Sequence, residues 1–270
     1  MRSLRGIVVF SQPDISMDDN LTVVRRTLCT LIQLVWPARC PGCDVLMTPR
    51  LGADITGPAD IFCAECHPTI DTVDEPCMRC AMPLQNGTCT NCAREPLPLV
   101  SAASAVAYGG AMKQAILRLK HGARRDLGAT LGPAFAGALA LAVENVPSPN
   151  GHVPIIAVPV PLHPNRLRHR GYNQALELLR HAAPAQGIPI LPDALIRRVD
   201  TLPLANLSPT ERRDRVRDVF EIRRGCNVAG RHVILADDVM TTGATLVACA
   251  RRLLAAGASG VSAAVLARAI

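Results

Sequence analysis

The chain has 270 residues, 49% hydrophobic and 19% charged. That balance fits one substantial packed domain plus a small one and excludes a disordered chain. The formal charge of +7 invites a nucleic-acid reading, but it is almost all arginine, with Lys113 and Lys120 the only lysines.

Residues 1–20 lack periodicity and read as a tail. Met17, just before Asp18-Asp19-Asn20, is an alternative first residue. Arg2 and Arg5 are followed only by the short apolar run 7–10, too short for a signal-peptide core, so a cytoplasmic location is expected. Residues 21–36 read as an amphipathic helix that Pro37 ends.

Eight of the 11 cysteines form four C-x-x-C pairs: Cys40/Cys43, Cys63/Cys66, Cys77/Cys80 and Cys89/Cys92. Two intervening residues let both sulfurs of a pair turn toward one ion, so four pairs supply two closed tetrahedral sites. Two structural Zn²⁺ ions are therefore expected. Without a secretory signal, a disulfide framework is the weaker reading. Pairing in chain order is the expected arrangement, and the spacing also permits an interleaved one. Each Zn²⁺ with four thiolates carries about −2, which lowers the formal +7 to about +3. His67 reads as a bystander, and Cys29, Cys226 and Cys249 as packing residues. The expected domains are a double zinc ribbon over 37–95 and an α/β domain over 96–270, joined through Glu95-Pro96-Leu97-Pro98.

The α/β part alternates. Strands are expected at 102–108, 153–160, 231–236 and 261–266. Helices are expected at 111–120, 126–143, 172–182 and 244–256. Strands that are apolar without alternation imply a mostly parallel sheet covered on both faces. The stretch 127–143 is the longest apolar one; it is rich in Ala and Gly, contains Pro133, and falls short of the ~18 residues a membrane span needs. It reads as a buried helix.

Two segments carry chemistry. Between the second strand and its helix, Arg166, Arg168 and Arg170 precede Gly171-Tyr172-Asn173-Gln174. Arginines in a loop can clamp pyrophosphate oxygens, although a solvated basic loop reads equally well. Residues 232–246, HVILADDVMTTGATL, form an apolar strand that ends on Asp237 and Asp238 and turns through Thr241-Thr242-Gly243-Ala244-Thr245 into a helix. Turn amides and a helix N-terminus suit a phosphate, and the two carboxylates suit vicinal ribose hydroxyls.

This second segment resembles the phosphoribosyl pyrophosphate (PRPP) motif of type I phosphoribosyltransferases at every position. Combined with the C-x-x-C pairs and VPVPLH..R...RGYNQ, it resembles the ComF family over about residues 28–270. The resemblance implies a type I phosphoribosyltransferase-like parallel sheet flanked by helices, with a small N-terminal zinc-ribbon domain. It implies PRPP bound with Mg²⁺, Asp237 and Asp238 on the ribose, residues 241–245 on the 5′-phosphate, and the arginine segment over the pyrophosphate. It further implies a link to natural transformation, with single-stranded DNA or a competence helicase or other DNA-processing protein as partner. Between Thr201 and Phe220, relatives in this family often carry Gln where Leu204 stands and Asn where Arg215 stands; Leu207, Arg212 and Phe220 are retained. The departures put the second substrate in question.

The expected chemistry is phosphoribosyl transfer to an acceptor the residues do not identify. His163 and His169 are candidate bases by proximity only. The alternative is a non-catalytic module that keeps the PRPP pocket and binds single-stranded DNA or a partner. Arginines at 166–170, 197–198 and 212–217 favour backbone contacts. Aromatics are only 3% of the chain, with Trp36, Phe62 and Tyr172 the few in useful regions, so stacking platforms are scarce.

Overall fold

The computed structural model describes residues 38–47, 57–147, 153–199 and 219–270. The expected tail, the helix over 21–36 with Trp36, Cys29, and the segment holding Leu204, Leu207, Arg212 and Arg215 lie outside the described residues. The chain divides into two compact units, 1–39 with 46–53, and 40–45 with 54–270. In the first, Arg39 and Leu46 form an antiparallel bridge, and the Met47 amide donates to the Ala38 carbonyl at 2.8 Å. The second holds both thiol sets and the main sheet.

That sheet has four parallel strands in the order β1-β6-β5-β2. They are β1 (Ala102–Ala107), β2 (Ile155–Pro159), β5 (His232–Met240) and β6 (Gly260–Arg268). Val233, Ile234, Leu235 and Ala236 have no exposed surface, which explains why β5 reads apolar on both faces. A separate antiparallel pair, β3 (Leu195–Arg197) and β4 (Phe220–Ile222), joins residues that the periodicity left unassigned. Among the described residues there are six α-helices: α1 (Thr90–Arg94), α2 (Gly110–His121), α3 (Leu127–Glu144), α4 (Pro164–Arg170), α5 (Gln174–Ala182) and α6 (Ala244–Ala255).

Helices α3 and α5 cover one face. They pack closely because α3 offers glycine at the contact: a Cβ added to Gly132 would lie 2.5 Å from the His181 Cβ. Helix α3 is the one described helix long and apolar enough to cross a membrane. Here it is a core helix, with Leu131, Phe135 and Leu139 fully buried, as the buried reading of 127–143 expects. Helix α6 covers the other face, where Leu246, Cys249 and Leu253 share a core with Val233, Leu235, Val261 and Val265. Cys77 and Cys80 belong to that same core, so one thiol pair is built into the sheet packing.

Two expectations need correction. The arginine segment is a helix, not a loop. His163 caps α4 by accepting from the Asn165 amide at 3.2 Å, Pro164 occupies the first turn, and Gly171 ends it at φ +82°. Pro at a helix start and Gly just past its end were signals for a short helix, masked by the density of charge. Strand β5 does not stop at the acids. It runs on to Met240 because β6 pairs with it as far as Met240↔Arg268, whereas β2 leaves at Pro159↔Ala236.

Candidate functional site

The carboxyl ends of β2 and β5 are neighbours, and in parallel sheets ligands gather at such ends. A cavity of about 970 Å³ opens there. Its lining includes Asp237, Asp238, Thr241 and Thr245 from β5 and the start of α6, Arg166, His169 and Arg170 from α4, Asn173 and Gln174 at the start of α5, and Lys120 and His121 from α2.

Asp237 and Asp238 are successive strand residues, so they lie on opposite faces of the sheet, yet both reach the cavity because β2 has ended. Lys120 Nζ lies 2.7 Å from Asp238 Oδ1. Burial disfavours the Lys120 ammonium, but the Asp238 and Asp237 charges outweigh it and hold Lys120 above the ordinary lysine value. Among the described residues Asp237 has no cation so close, its Oδ1 accepting from the Asp238 amide at 2.9 Å; burial first, then the Asp238 charge, push its carboxyl up to about 7. His121 is held below the usual histidine value by burial and by the Arg170 and Lys120 charges.

After β5 the chain turns at Thr241 and Thr242 and enters α6 through Gly243 at φ +78°. A Cβ there would be strained and would sit 2.8 Å from Met240 Cε, so the turn needs glycine. Thr242 Oγ1 accepts from the Ala244 amide at 3.4 Å. No backbone or side-chain acceptor among the described residues takes the amides of Thr241, Thr242 and Gly243, which leaves three donors at the N-terminus of a 12-residue helix.

Across the cavity, Arg170 Nη1 donates to Gln174 Oε1 at 2.5 Å. Burial pulls the Arg170 guanidinium down from its ordinary value, and the Arg166 charge adds to this. Gln174 is 2% exposed, and its Nε2 has no hydrogen-bond partner among the described residues. A buried amide donor left unpaired is costly, and one at a cavity wall is poised for a ligand acceptor. Asn173 caps α5, accepting from the Leu176 amide at 3.3 Å, and donates to the Val160 carbonyl at 2.9 Å.

Of the residues singled out by sequence, Asp237, Asp238, Thr241, Thr245, Arg166, Arg170, Asn173 and Gln174 line this cavity. Thr242, Gly243 and Ala244 form its turn. Arg168 is exposed and bonds Asn165 Oδ1 at 2.5 Å. Gly171 and Tyr172 line a smaller adjoining cavity of about 460 Å³. The buried Tyr172 hydroxyl donates to the Leu119 carbonyl at 2.6 Å, fixing the end of α2 that presents Lys120. Sequence reasoning did not place Lys120 and Tyr108 at this site, and it read Arg197 only as a nucleic-acid-backbone contact.

The cysteines gather in chain order. The sulfurs of Cys40, Cys43, Cys63 and Cys66 lie within 4.8 Å of one another, as do those of Cys77, Cys80, Cys89 and Cys92. Cys43 and Cys63 sulfurs are 3.6 Å apart, Cys80 and Cys89 3.4 Å, and Cys77 and Cys92 3.9 Å. Tetrahedral Zn²⁺ with bonds of ~2.3 Å separates its sulfurs by about 3.8 Å, so both sets fit that ion. The residue after each leading pair is left-handed, Asp44 at φ +68° and Ala81 at φ +54°, which makes the two knuckles alike. Burial raises the Cys66 and Cys92 thiols well above their ordinary value, and neighbouring sulfurs add to it. Crowded thiols ionise together only around a cation. His67 stays outside, 3.6 Å from Asp60.

Residues 184–270 match the phosphoribosyl transferase domain family. The chain is 27% identical over 203 residues to "DNA utilization protein YhgH" of Escherichia coli K12, covering 74% of this chain and 87% of that protein. The Salmonella typhimurium YhgH is 26% identical over 202 residues, with the same coverage. "Competence protein F" of Haemophilus influenzae is 37% identical over 95 residues, covering 35% of this chain and 42% of that protein.

Proposed function

We propose that this homologue of YhgH and the ComF proteins, with its phosphoribosyl transferase domain, binds PRPP in the β2/β5 cavity and transfers its phosphoribosyl group. One observation carries the reading: paired carboxylates, a cationic wall, and Thr241 and Thr245, which flank a turn whose amides have no acceptor among the described residues, line one cavity.

In this reading Asp237 and Asp238 accept from the ribose hydroxyls. The amides of residues 241–243 with the Thr242 and Thr245 hydroxyls hold the 5′-phosphate. Arg166, Arg170 and Lys120 neutralise the departing pyrophosphate, and Gln174 Nε2 donates to a ligand oxygen. As the bond to C1 breaks, positive charge develops on the ribose, so catalysis rests on positioning and on charge stabilisation of the leaving group. The carboxylates suit a hard cation, and Mg²⁺ bound with PRPP would add charge neutralisation at the pyrophosphate. Among the two candidate bases His169 lines the cavity, whereas His163 Nδ1 is engaged as the α4 cap. Thiolate sites persist in a reducing compartment, which supports a cytoplasmic location.

Calorimetric titration of the zinc-loaded protein with PRPP and Mg²⁺ tests this. Micromolar binding that is lost in the folded Asp237→Asn/Asp238→Asn double variant is the expected result. Unchanged affinity in that variant would end the assignment.

A second reading is single-stranded DNA binding, to which the relatives' names lend only a DNA-related role, "DNA utilization protein" and "Competence protein F", and which the arginines Arg166, Arg170 and Arg197 lining the cavity favour. Backbone-driven binding weakens steeply with salt; no binding at low salt would remove it.

A further inference from the structure

Arg268, the last residue of β6, is 2% exposed. Its Nε donates to the carbonyl of Cys80, in the second thiol set, at 2.8 Å. Its Nη1 donates to the Met240 carbonyl at 2.7 Å, to the Ala269 carbonyl at 2.7 Å and to the Thr241 carbonyl. One guanidinium thus spans a metal knuckle and the start of the phosphate-type turn.

Two physical consequences follow. In a trans peptide the carbonyl of one residue and the amide of the next point in opposite directions. Holding the Met240 and Thr241 carbonyls on Arg268 therefore aims the Thr241 and Thr242 amides the other way, and these are among the unpartnered donors of the turn. Second, no carboxylate among the described residues pairs with this buried cation, and an unpaired buried charge is costly. Four thiolates around Zn²⁺ keep about −2 of charge, which supplies the missing counter-charge.

We propose that Arg268 is a positioning residue that couples the metal at Cys77, Cys80, Cys89 and Cys92 to the sugar-phosphate-binding turn, so that metal occupancy there sets affinity for the phosphate. The proposal rests on the reading that this turn binds a phosphate monoester. Coupling between two sites is reciprocal, so a bound sugar phosphate must slow metal loss from this set. The first set contacts α2 instead, with the Thr69 hydroxyl accepting from the Ala111 amide at 3.0 Å, and lies outside the coupling.

The test is zinc release from the full-length, zinc-loaded protein into a chromogenic chelator, with and without saturating ribose 5-phosphate and no Mg²⁺. Release from Cys63→Ser, which keeps only the second set, identifies that phase. Ribose 5-phosphate is expected to slow the second-set phase several-fold and leave the first unchanged. Arg268→Lys keeps the charge but cannot span the carbonyls. It is expected to hold two zinc equivalents, bind ribose 5-phosphate about tenfold more weakly and lose the protection. If the wild type binds ribose 5-phosphate yet both phases are unchanged or slow equally, the coupling is wrong while the proposed function stands. If neither ribose 5-phosphate nor PRPP with Mg²⁺ binds, the proposed function falls and the coupling with it. The release measurement on the wild type decides the matter even if Arg268→Lys does not fold.

Discussion

Lys120 and Asp238 meet at 2.7 Å although one ends a helix and the other lies in the strand at the centre of the candidate site. Asp238 is 6% exposed, so the lysine is what makes a carboxylate at that depth tolerable. Removing it as Lys120→Met leaves Asp238 buried without its cation. The expected loss is about 1–3 kcal/mol, read as a lower urea midpoint. Adding Asp238→Asn to Lys120→Met should recover part of it. A double variant no more stable than Lys120→Met would show that the pair does not couple.

Asp237 sets a pH dependence of the opposite sense to an ordinary salt-bridged acid. Its carboxyl is raised from 3.8 to about 7 in the folded state, so between those values the folded protein holds a proton that the unfolded chain has released. The contribution is complete below the unfolded value and is lost as pH rises through about 7. The ligand-free protein should therefore melt at a lower temperature at pH 8 than at pH 6. Asp237→Asn should flatten that difference, raise the melting temperature at pH 8 and abolish PRPP binding. A variant whose pH profile parallels the wild type would place the titration elsewhere.

Gln174 is expected to matter more for binding than for stability. Its Nε2 is buried without a partner among the described residues while its Oε1 accepts from Arg170, so Gln174→Met removes an unsatisfied donor together with one hydrogen bond, opposing effects that should leave the ligand-free melting temperature little changed. The same change should weaken PRPP binding by about 1–3 kcal/mol, roughly 5- to 150-fold. Calorimetry and thermal melts on one preparation check both, and a variant that is less stable but binds normally would assign Gln174 to structure alone.

The two thiol sets should differ in what they support. Cys77 and Cys80 belong to the sheet core, with Cys89 and Cys92 packed against it, whereas in the first set only Cys40 is buried and it lies outside that core. Cys80→Ser and Cys63→Ser should each lower the zinc content from two equivalents to one. Cys80→Ser should cost the larger drop in melting temperature, since metal binding is folding free energy where the ligands are core residues. Equal drops, or an unchanged metal content, would contradict this.

What could be read from sequence was whatever is encoded locally. The run 232–246 carries its strand, turn and helix in order. The four C-x-x-C pairs carry their own ligand spacing. Most helices and the four parallel strands follow from periodicity and the residues that punctuate it. The helix Pro164–Arg170 was missed even so, because three arginines in seven residues resemble solvated loop more strongly than Pro and Gly resemble caps. Only the tertiary structure decided the rest, because strand order and register set which distant residues meet. The β5/β6 register to Met240↔Arg268 carries β5 past its acids and sends them to opposite faces. Burial of Tyr172 against Leu119 brings Lys120 to Asp238. Arg268 reaches the Cys80 carbonyl and the Met240 carbonyl before the turn at once, because the parallel β5/β6 register sets it beside the end of β5. None of these contacts has a local signature, since each depends on packing between segments far apart in the chain.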